Sequence, residues 1–287
     1  DGGDNMDAGI ISALLAGKDA DAIVLECDEL HVPKVAERLQ PTAFVLLNLT
    51  RDQLDRVGEI NSIERALRAA VMAHPEATVV ANCDDVLITS IAYDHPNAVW
   101  VSAGAGWTGD SVTNPRSGGH VVRSSVTHEG EADWYAVEPL PDGREFRRPT
   151  PKYKVEGETL VGPEGVAKLE LKLPGRANRG NAAQAIAAAV EAFGIPLDAA
   201  VRAAAEVDNV AGRYTTVHLG DHDVHLLLAK NPAGWQEALS MVDRDADGVV
   251  IAVNAQQGDG EDVSWLWDVK FEDFGDTHVV AAGERAT

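Results

Sequence analysis

Ala43-Phe44-Val45-Leu46-Leu47-Asn48-Leu49-Thr50-Arg51-Asp52-Gln53-Leu54-Asp55-Arg56 decides how the rest of this chain is read. Its apolar first five residues give way abruptly to Asn, Thr, Arg and two Asp, and a helix-compatible segment follows. A strand buried on both faces reads as a continuous apolar run. In an open α/β sheet, ligands bind beyond the carboxyl ends of such strands. Asn48, Thr50, Arg51, Asp52 and Asp55 are therefore candidates to bind phosphate or to position an acceptor carboxylate. An Asp-x-x-Asp opening a helix serves equally well as a cap.

Outward from this strand the same alternation repeats. The sequence predicts helices over 8–16, 31–39 and 60–73, and strands over 22–25, 43–47, 78–81 and 98–103. Strands separated by helical segments imply a mostly parallel sheet. From Trp107 to about Tyr153, Gly, Pro, Ser and Arg dominate around short alternating runs (120–126, 133–137), and Trp134, Tyr135 and Phe146 are available for a small core. That stretch reads as a β-rich insert. Strands at 159–161 and 169–173 and helices at 178–193 and 196–205 resume the α/β pattern. Beyond Gly212-Arg213, strands at 224–229, 248–254 and 277–282 with a helix at 235–241 suggest a Rossmann-like C-terminal domain. The organisation expected is an α/β central domain over 1–106 and 154–210, an insert over 107–153, and the C-terminal domain over 211–287.

The chain has 287 residues, 46 acidic against 24 basic, for a net charge of −22. Nucleic-acid binding requires a basic footprint, so no nucleic-acid partner is expected. No run approaches the roughly 20 apolar residues of a membrane span, and no signal peptide is visible. The two cysteines, Cys27 and Cys83, support no disulfide framework and fit a reducing cytoplasm. Asp1 stands in place of an initiating Met, and the chain stops just after an expected strand. Both ends read as cuts through a larger protein.

Four further clusters carry polar chemistry. Glu26, Asp28 and Glu29 follow the strand at 22–25, where carboxylates suit a hard cation such as Mg²⁺; they also suit a helix N-terminus. Asn178 and Asn181 open an Ala-rich helix, and an amide offers a purine edge both a donor and an acceptor. Lys230-Asn231-Pro232 follows the strand at 224–229. Asp259-Gly260-Glu261-Asp262-Val263-Ser264-Trp265-Leu266-Trp267-Asp268 sets two Trp beside several carboxylates after a Gly-rich loop; the plain alternative is a turn followed by a segment that buries both Trp.

The run Asn48-Leu49-Thr50-Arg51-Asp52-Gln53-Leu54-Asp55-Arg56-Val57-Gly58 resembles the "N-L-x-x-D-H-L-D-x-x-G" signature of the Mur ligases, with Gln53 in the position of His as in their MurT branch. Leu173 to Ala183 resembles the family's "G-x-H-N-x-x-N-x-x-A-A" element, with Ala177 in place of His. Gly212-Arg213 resembles the pair that opens the last Mur domain. Leu228 to Gly234 and Asp259 to Asp268 are similar to MurT blocks. Leu226 and Leu227 stand where other Mur ligases carry an acidic pair.

The resemblance spans nearly the whole chain and implies a ligase that uses ATP and Mg²⁺ to convert the D-glutamate α-carboxyl of lipid II to D-isoglutamine, through an acyl phosphate that ammonia displaces. The ammonia would come from glutamine through a separate amidotransferase subunit (GatD) in a heterodimer, acting in the cytoplasm at the inner face of the membrane during peptidoglycan synthesis. It also implies roles for particular residues: Asn48, Asp52, Asn181, Arg213, Lys230 and Asn231 at the nucleotide, Glu26 at Mg²⁺, and Asp262 or Asp268 as the essential acid. Many MurT-like proteins carry a four-Cys zinc ribbon in the insert. With no Cys there and only His120 and His128, no zinc is expected. No Gly-Lys-Thr or Gly-Lys-Ser of a P-loop occurs in the sequence, so the rival expectation is a non-catalytic scaffold that keeps the amidotransferase interface.

Overall fold

The computed structural model describes residues 5–50, 60–124, 133–208, 214–243, 245–254, 264–271, 274 and 277–284. Its main sheet has six strands in the order β1-β2-β3-β6-β7-β8. Strands β1 (Ala43–Leu46), β2 (Thr78–Asn82), β3 (Ala98–Ser102) and β6 (Tyr153–Glu156) run parallel, and β7 (Thr159–Gly162) and β8 (Gly165–Lys168) complete the sheet as an antiparallel meander. Phe44 pairs with Val79 and Val80 with Val99, which fixes the register at the centre.

Helices cover both faces, and the period-2 alternation of the strands assigns each side chain to one of them. Val79 and Ala81 face a core with Leu67 and Val71 of α3 (Ile60–Met72) and Leu87, Ile88 and Ile91 of α4 (Val86–Ala92). Val80, Val99 and Val101 face the other core with Ala183, Ile186 and Ala187 of α5 (Arg176–Phe193) and Ala200 of α6 (Leu197–Glu206). The Ala-rich face of α5 lets that helix lie close on the sheet. Two shorter helices precede these, α1 (Asp7–Ala16) and α2 (Val32–Leu39).

Between β3 and β6 the chain builds the expected β-rich insert around β4 (Val121–Arg123) paired antiparallel with β5 (Trp134–Ala136). Trp134, Phe146, Val121 and Leu140 form a third core against Val86 of α4. Trp134 stacks at a tilt on Phe146, 5.1 Å between ring centroids, and its indole N–H donates to the Cys83 carbonyl at 3.0 Å. Tyr135, expected in this core, is exposed, because the strand alternation that buries Trp134 turns its neighbour outward. The turn at Asn114 to Gly119 closes on itself: Asn114 accepts from the Arg116 N–H and donates to the Ser117 hydroxyl.

The C-terminal part holds α7 (Pro232–Met241), a 3-10 helix (Ser264–Asp268) and two separate strand pairs. β9 (Tyr214–Leu219) and β10 (His222–Leu227) form a hairpin, whereas β11 (Val249–Ala252) and β12 (Val279–Ala282) pair in parallel. The sequence suggested one sheet containing the strand at 224–229. Only Gly220 and Asp221 separate β9 from β10, and two residues suffice for a hairpin but not for a parallel crossover.

Two other expected strands do not form. Residues 22–25 form no regular structure and have no ladder partner among the described residues, and Val24 is 90% exposed. Residues 169–173 form no strand, although Leu169 is buried. An apolar run becomes a strand only where a neighbouring backbone takes up its hydrogen bonds.

Candidate functional site

The parallel strands deliver their carboxyl ends to one edge of the sheet, and a buried polar cluster is built there. β2 ends in Asn82-Cys83-Asp84-Asp85. The Asp84 carboxylate, wholly buried, accepts from the Gly104 N–H at 2.7 Å, the Ser102 hydroxyl at 3.0 Å and Arg148 Nε at 2.7 Å. Arg148 also donates to the Ser102 hydroxyl at 2.8 Å. Asn82 donates to the Gly104 carbonyl at 3.1 Å and accepts from the Asp84 N–H at 3.0 Å. Gly104 lies at φ +92°, a conformation that favours glycine, so the turn after β3 is pinned by residue type as well as by bonding.

Asp85 performs a different task. Its Oδ1 caps α4 by accepting from the Leu87 and Ile88 N–H groups at 2.8 and 2.9 Å. Its Oδ2 accepts from the Leu49 N–H at 3.1 Å, which ties the segment after β1 to the end of β2. Burial pushes this carboxyl up to about 6, against the opposing pull of the three N–H donors and of Arg123. Arg123, from β4 of the insert, bonds the Ser111 hydroxyl at 2.7 Å, while its Nη1 is buried with no acceptor among the described residues. The insert thus contributes charge to this edge as well as a cover for α4.

α5 begins beside the same edge. Arg176 donates to the Ala105 carbonyl at 3.2 Å. Gly175, at φ +94°, leaves room for Met241 of α7, whose side chain would meet a Cβ at 2.8 Å. Glu237 of α7 accepts a bond from the Ala177 N–H in the first turn of α5 and lies near Arg176 and Gly106; burial nonetheless raises its carboxyl above the usual range. The C-terminal part therefore meets the central sheet at the start of α5, where the helix dipole favours a negative charge.

The expected site residues distribute unevenly over this geometry. Asn48 is exposed just past β1, within the segment held by Asp85, and Asn181 is exposed on α5. Lys230 is exposed just before α7. Asn231 is the α7 N-cap, its Oδ1 accepting from the Gly234 N–H at 2.8 Å, so that oxygen is committed to the helix. Asp268 is exposed at the end of the 3-10 helix, beside α7. Asp52, Arg213 and Asp262 lie outside the described residues. Glu26 is exposed in an irregular segment, and no cluster of three or more metal-ligating side chains occurs among the described residues.

Sequence reasoning missed Asp84, Asp85, Arg123, Arg148 and Glu237. The acidic pair after a strand was visible in the sequence. Its partners lie 64 residues away for Asp84 with Arg148 and 36 for Asp85 with Leu49, and only the topology brings them together.

Comparison with known proteins agrees with this architecture. Residues 228–287 match the family model "MurT ligase C-terminal". The chain is 27% identical, over 96% of its length and 65% of the relative's, to the lipid II isoglutaminyl synthase (glutamine-hydrolyzing) subunit MurT of Streptococcus pneumoniae. It is 25% identical to the subunit of the same name from Staphylococcus aureus, over 99% of this chain and 67% of that one. It spans about two thirds of the length of these curated relatives. Among solved structures, a pseudomurein peptide ligase type C from Methanothermus fervidus superposes with a TM-score of 0.64 at 18% identity, over 87% of this chain and 54% of that one. The chain has the Mur ligase fold and is similar to the MurT subunits along nearly all of its length.

Proposed function

We propose that this chain is the greater part of the ligase subunit of a lipid II amidating enzyme, converting the D-glutamate α-carboxyl of the stem peptide to an amide. The observation that carries the reading is the match of residues 228–287 to the MurT C-terminal model, on a chain similar to MurT subunits along nearly all of its length. In this reading ATP activates the carboxylate as an acyl phosphate, and ammonia attacks the acyl carbon, losing a proton as phosphate leaves. The ammonia is released from glutamine by a partner amidotransferase subunit, consistent with the "glutamine-hydrolyzing" and "subunit" of the relatives' names. The work takes place at the cytoplasmic face of the membrane, where lipid II is assembled; among the described residues no helix is long and apolar enough to cross it.

The described residues fit a nucleotide in part. Asn181, exposed on α5 near the strand ends, presents an amide to a base edge, and Asn48 and Lys230 supply polar and cationic groups. Arg123 has a buried Nη1 with no acceptor among the described residues, which suits an anionic group at the edge of the sheet. The described carboxylates do not gather into a Mg²⁺ site. Asp85 positions the segment bearing Asn48, and Asp84 with Arg148 holds the turn after β3. Asp52, Arg213 and Asp262 complete the proposed machinery, with Asp268 as the second candidate for the essential acid.

The test is amidation of lipid II by the protein as its native host makes it, together with its glutaminase partner, ATP, Mg²⁺ and glutamine. The expected result is a product carrying amide in place of the α-carboxyl, dependent on ATP and abolished by Arg213→Ala. A complex that forms with the glutaminase yet leaves lipid II unchanged overturns the ligase reading and favours a scaffold.

A further inference from the structure

A second polar site lies away from the strand ends, between α3, the end of α4 and the insert. Four arginines line one cavity of about 430 Å³: Arg65 and Arg68 from α3, and Arg116 and Arg144 from the insert, with Asp94 and Asp142 beside them. In a chain with 46 acidic and 24 basic residues, that concentration of guanidinium groups is against the overall balance.

The arginines are held in place by a framework that leaves their positive charge in excess. Arg116 has a side chain only 7% exposed; it donates to the Ser90 hydroxyl at 2.9 Å, to the Ser90 carbonyl, and to Asp94 at 2.5 Å. Asp94 also accepts from Arg144 at 2.7 Å, and both guanidinium carbons lie 5.7 Å from the Tyr93 ring centroid. Arg144 makes a second bond to Asp142 at 2.7 Å. Arg68 pairs at 3.2 Å with the wholly buried Glu64, which accepts from the Ser90 hydroxyl as well. Arg65 has no ion pair among the described residues. The three carboxylates in this network are thus already engaged by three arginines, and the fourth faces the cavity uncompensated.

The geometry points to this cavity as a binding site for a small phosphate-bearing anion, distinct from the strand-end site. A guanidinium presents its donors in a planar fork suited to oxyanions. Here the forks come from two walls, α3 on one side and the insert on the other. A tetrahedral phosphate offers oxygens in several directions at once and can meet both walls, whereas a planar carboxylate directs its lone pairs within one plane. Burial of Arg116 and its fixed partners means that the site is preorganised, which lowers the ordering cost of binding. The ligand would tie the insert to α3.

Inorganic pyrophosphate, titrated calorimetrically into this chain at low ionic strength, tests the assignment, with citrate as the carboxylate comparator. One saturable site is expected, weakened by added salt. Arg65→Gln should fold normally, since no described ion pair is lost, and should weaken pyrophosphate by about tenfold, the effect of losing a charge-assisted hydrogen bond. Lys230→Gln, which removes a cationic group from the strand-end site, should leave that binding unchanged. Absence of saturable binding overturns the proposal, as does unaltered binding to Arg65→Gln. Binding lost in Lys230→Gln and kept in Arg65→Gln would move the ligand to the strand-end site, and equal affinity for citrate would overturn the phosphate assignment.

Discussion

The central layers and the C-terminal part of this molecule handle apolar residues in opposite ways. In the centre, Val79, Val80 and Ala81 of β2 are buried on alternate faces, with α3 and α4 on one side and α5 on the other. In the C-terminal part the strands come in separate pairs, and Leu219, Leu226, Leu228, Val250 and Val280 are exposed. Ala238 and Val269 are the buried apolar residues there among those described. A two-stranded unit cannot cover both of its faces. The difference teaches that the central sheet stabilises itself, whereas the C-terminal part depends on what it rests against: Met241 beside Gly175, and Glu237 on the first turn of α5.

The largest effects should therefore come from the centre. Arg148→Ala removes the charged partner of the wholly buried Asp84 and leaves its carboxylate with neutral donors alone, the Gly104 N–H, the Ser102 hydroxyl and the Cys83 thiol. Loss of one member of a buried pair costs roughly 3–5 kcal/mol. Chemical denaturation should show that loss, and a variant within about 1 kcal/mol of the parent would mean that the pair is solvated in solution. Replacing both residues with apolar ones should recover part of the stability, since the penalty belongs to the unpaired charge.

Trp134→Ala sharpens the comparison from within the insert. Its side chain is wholly buried against Phe146 and Val86, and it holds the Cys83 carbonyl. Such truncations cost about 3–5 kcal/mol. Because the Cys83 carbonyl precedes Asp84 and Asp85, the insert and the strand-end cluster should loosen together. Hydrogen exchange at Leu49 and Gly104 would report that coupling, and protection unchanged at both would separate the insert from the site.

How much of this was legible in the sequence follows from range. β1, β2 and β3 were readable because each is built on a run of consecutive apolar residues, and α5 because Ala recurs along its packed face. β6 was missed because Tyr-Lys-Val-Glu after Pro151 is short and half polar, and its strand character comes from pairing with β3 and β7. The run at 22–25 was misread for the reverse reason, having composition without a partner. For the site, motif resemblance pointed to Asn48 and Asn181, which do lie beyond strand β1 and on α5. It could not point to Asp85 or Arg148, since a hydrogen bond between segments 36 or 64 residues apart leaves no local pattern.

Asp85 supplies a smaller effect, resolved by pH. Asp85→Asn keeps an oxygen for the α4 cap and puts an NH₂ where the Leu49 N–H needs an acceptor, so the cap survives while the tether to β1 is lost. The expected cost at pH 7 is about 1 kcal/mol, that of one hydrogen bond. With its folded value raised from 3.8 to about 6, the wild-type carboxyl holds a proton in the folded state that the unfolded chain has already released between those values. Its contribution to stability is therefore largest at the acid end of that window and declines as pH rises through it. Melting temperatures of both proteins across pH 4.5–7 should show the wild type losing ground relative to the variant, and parallel curves would remove Asp85 from the titration.

The smallest stability effect should be at Trp267, 92% exposed on the 3-10 helix beside α7. A side chain that contacts mainly solvent contributes little to folding, so Trp267→Ala should stay within about 0.5 kcal/mol of the parent. If it does, a large aromatic has been placed on the surface of the less-buried part without a folding role, and binding is the remaining use for it, since aromatic side chains concentrate at the centres of interfaces. Titration of the variant with the proposed glutaminase partner then becomes decisive: affinity lowered by tenfold or more puts Trp267 in the interface, and unchanged affinity puts the interface elsewhere. A loss of 2 kcal/mol or more in the isolated chain would instead show that Trp267 is covered in solution, and that the C-terminal part is packed as tightly as the centre.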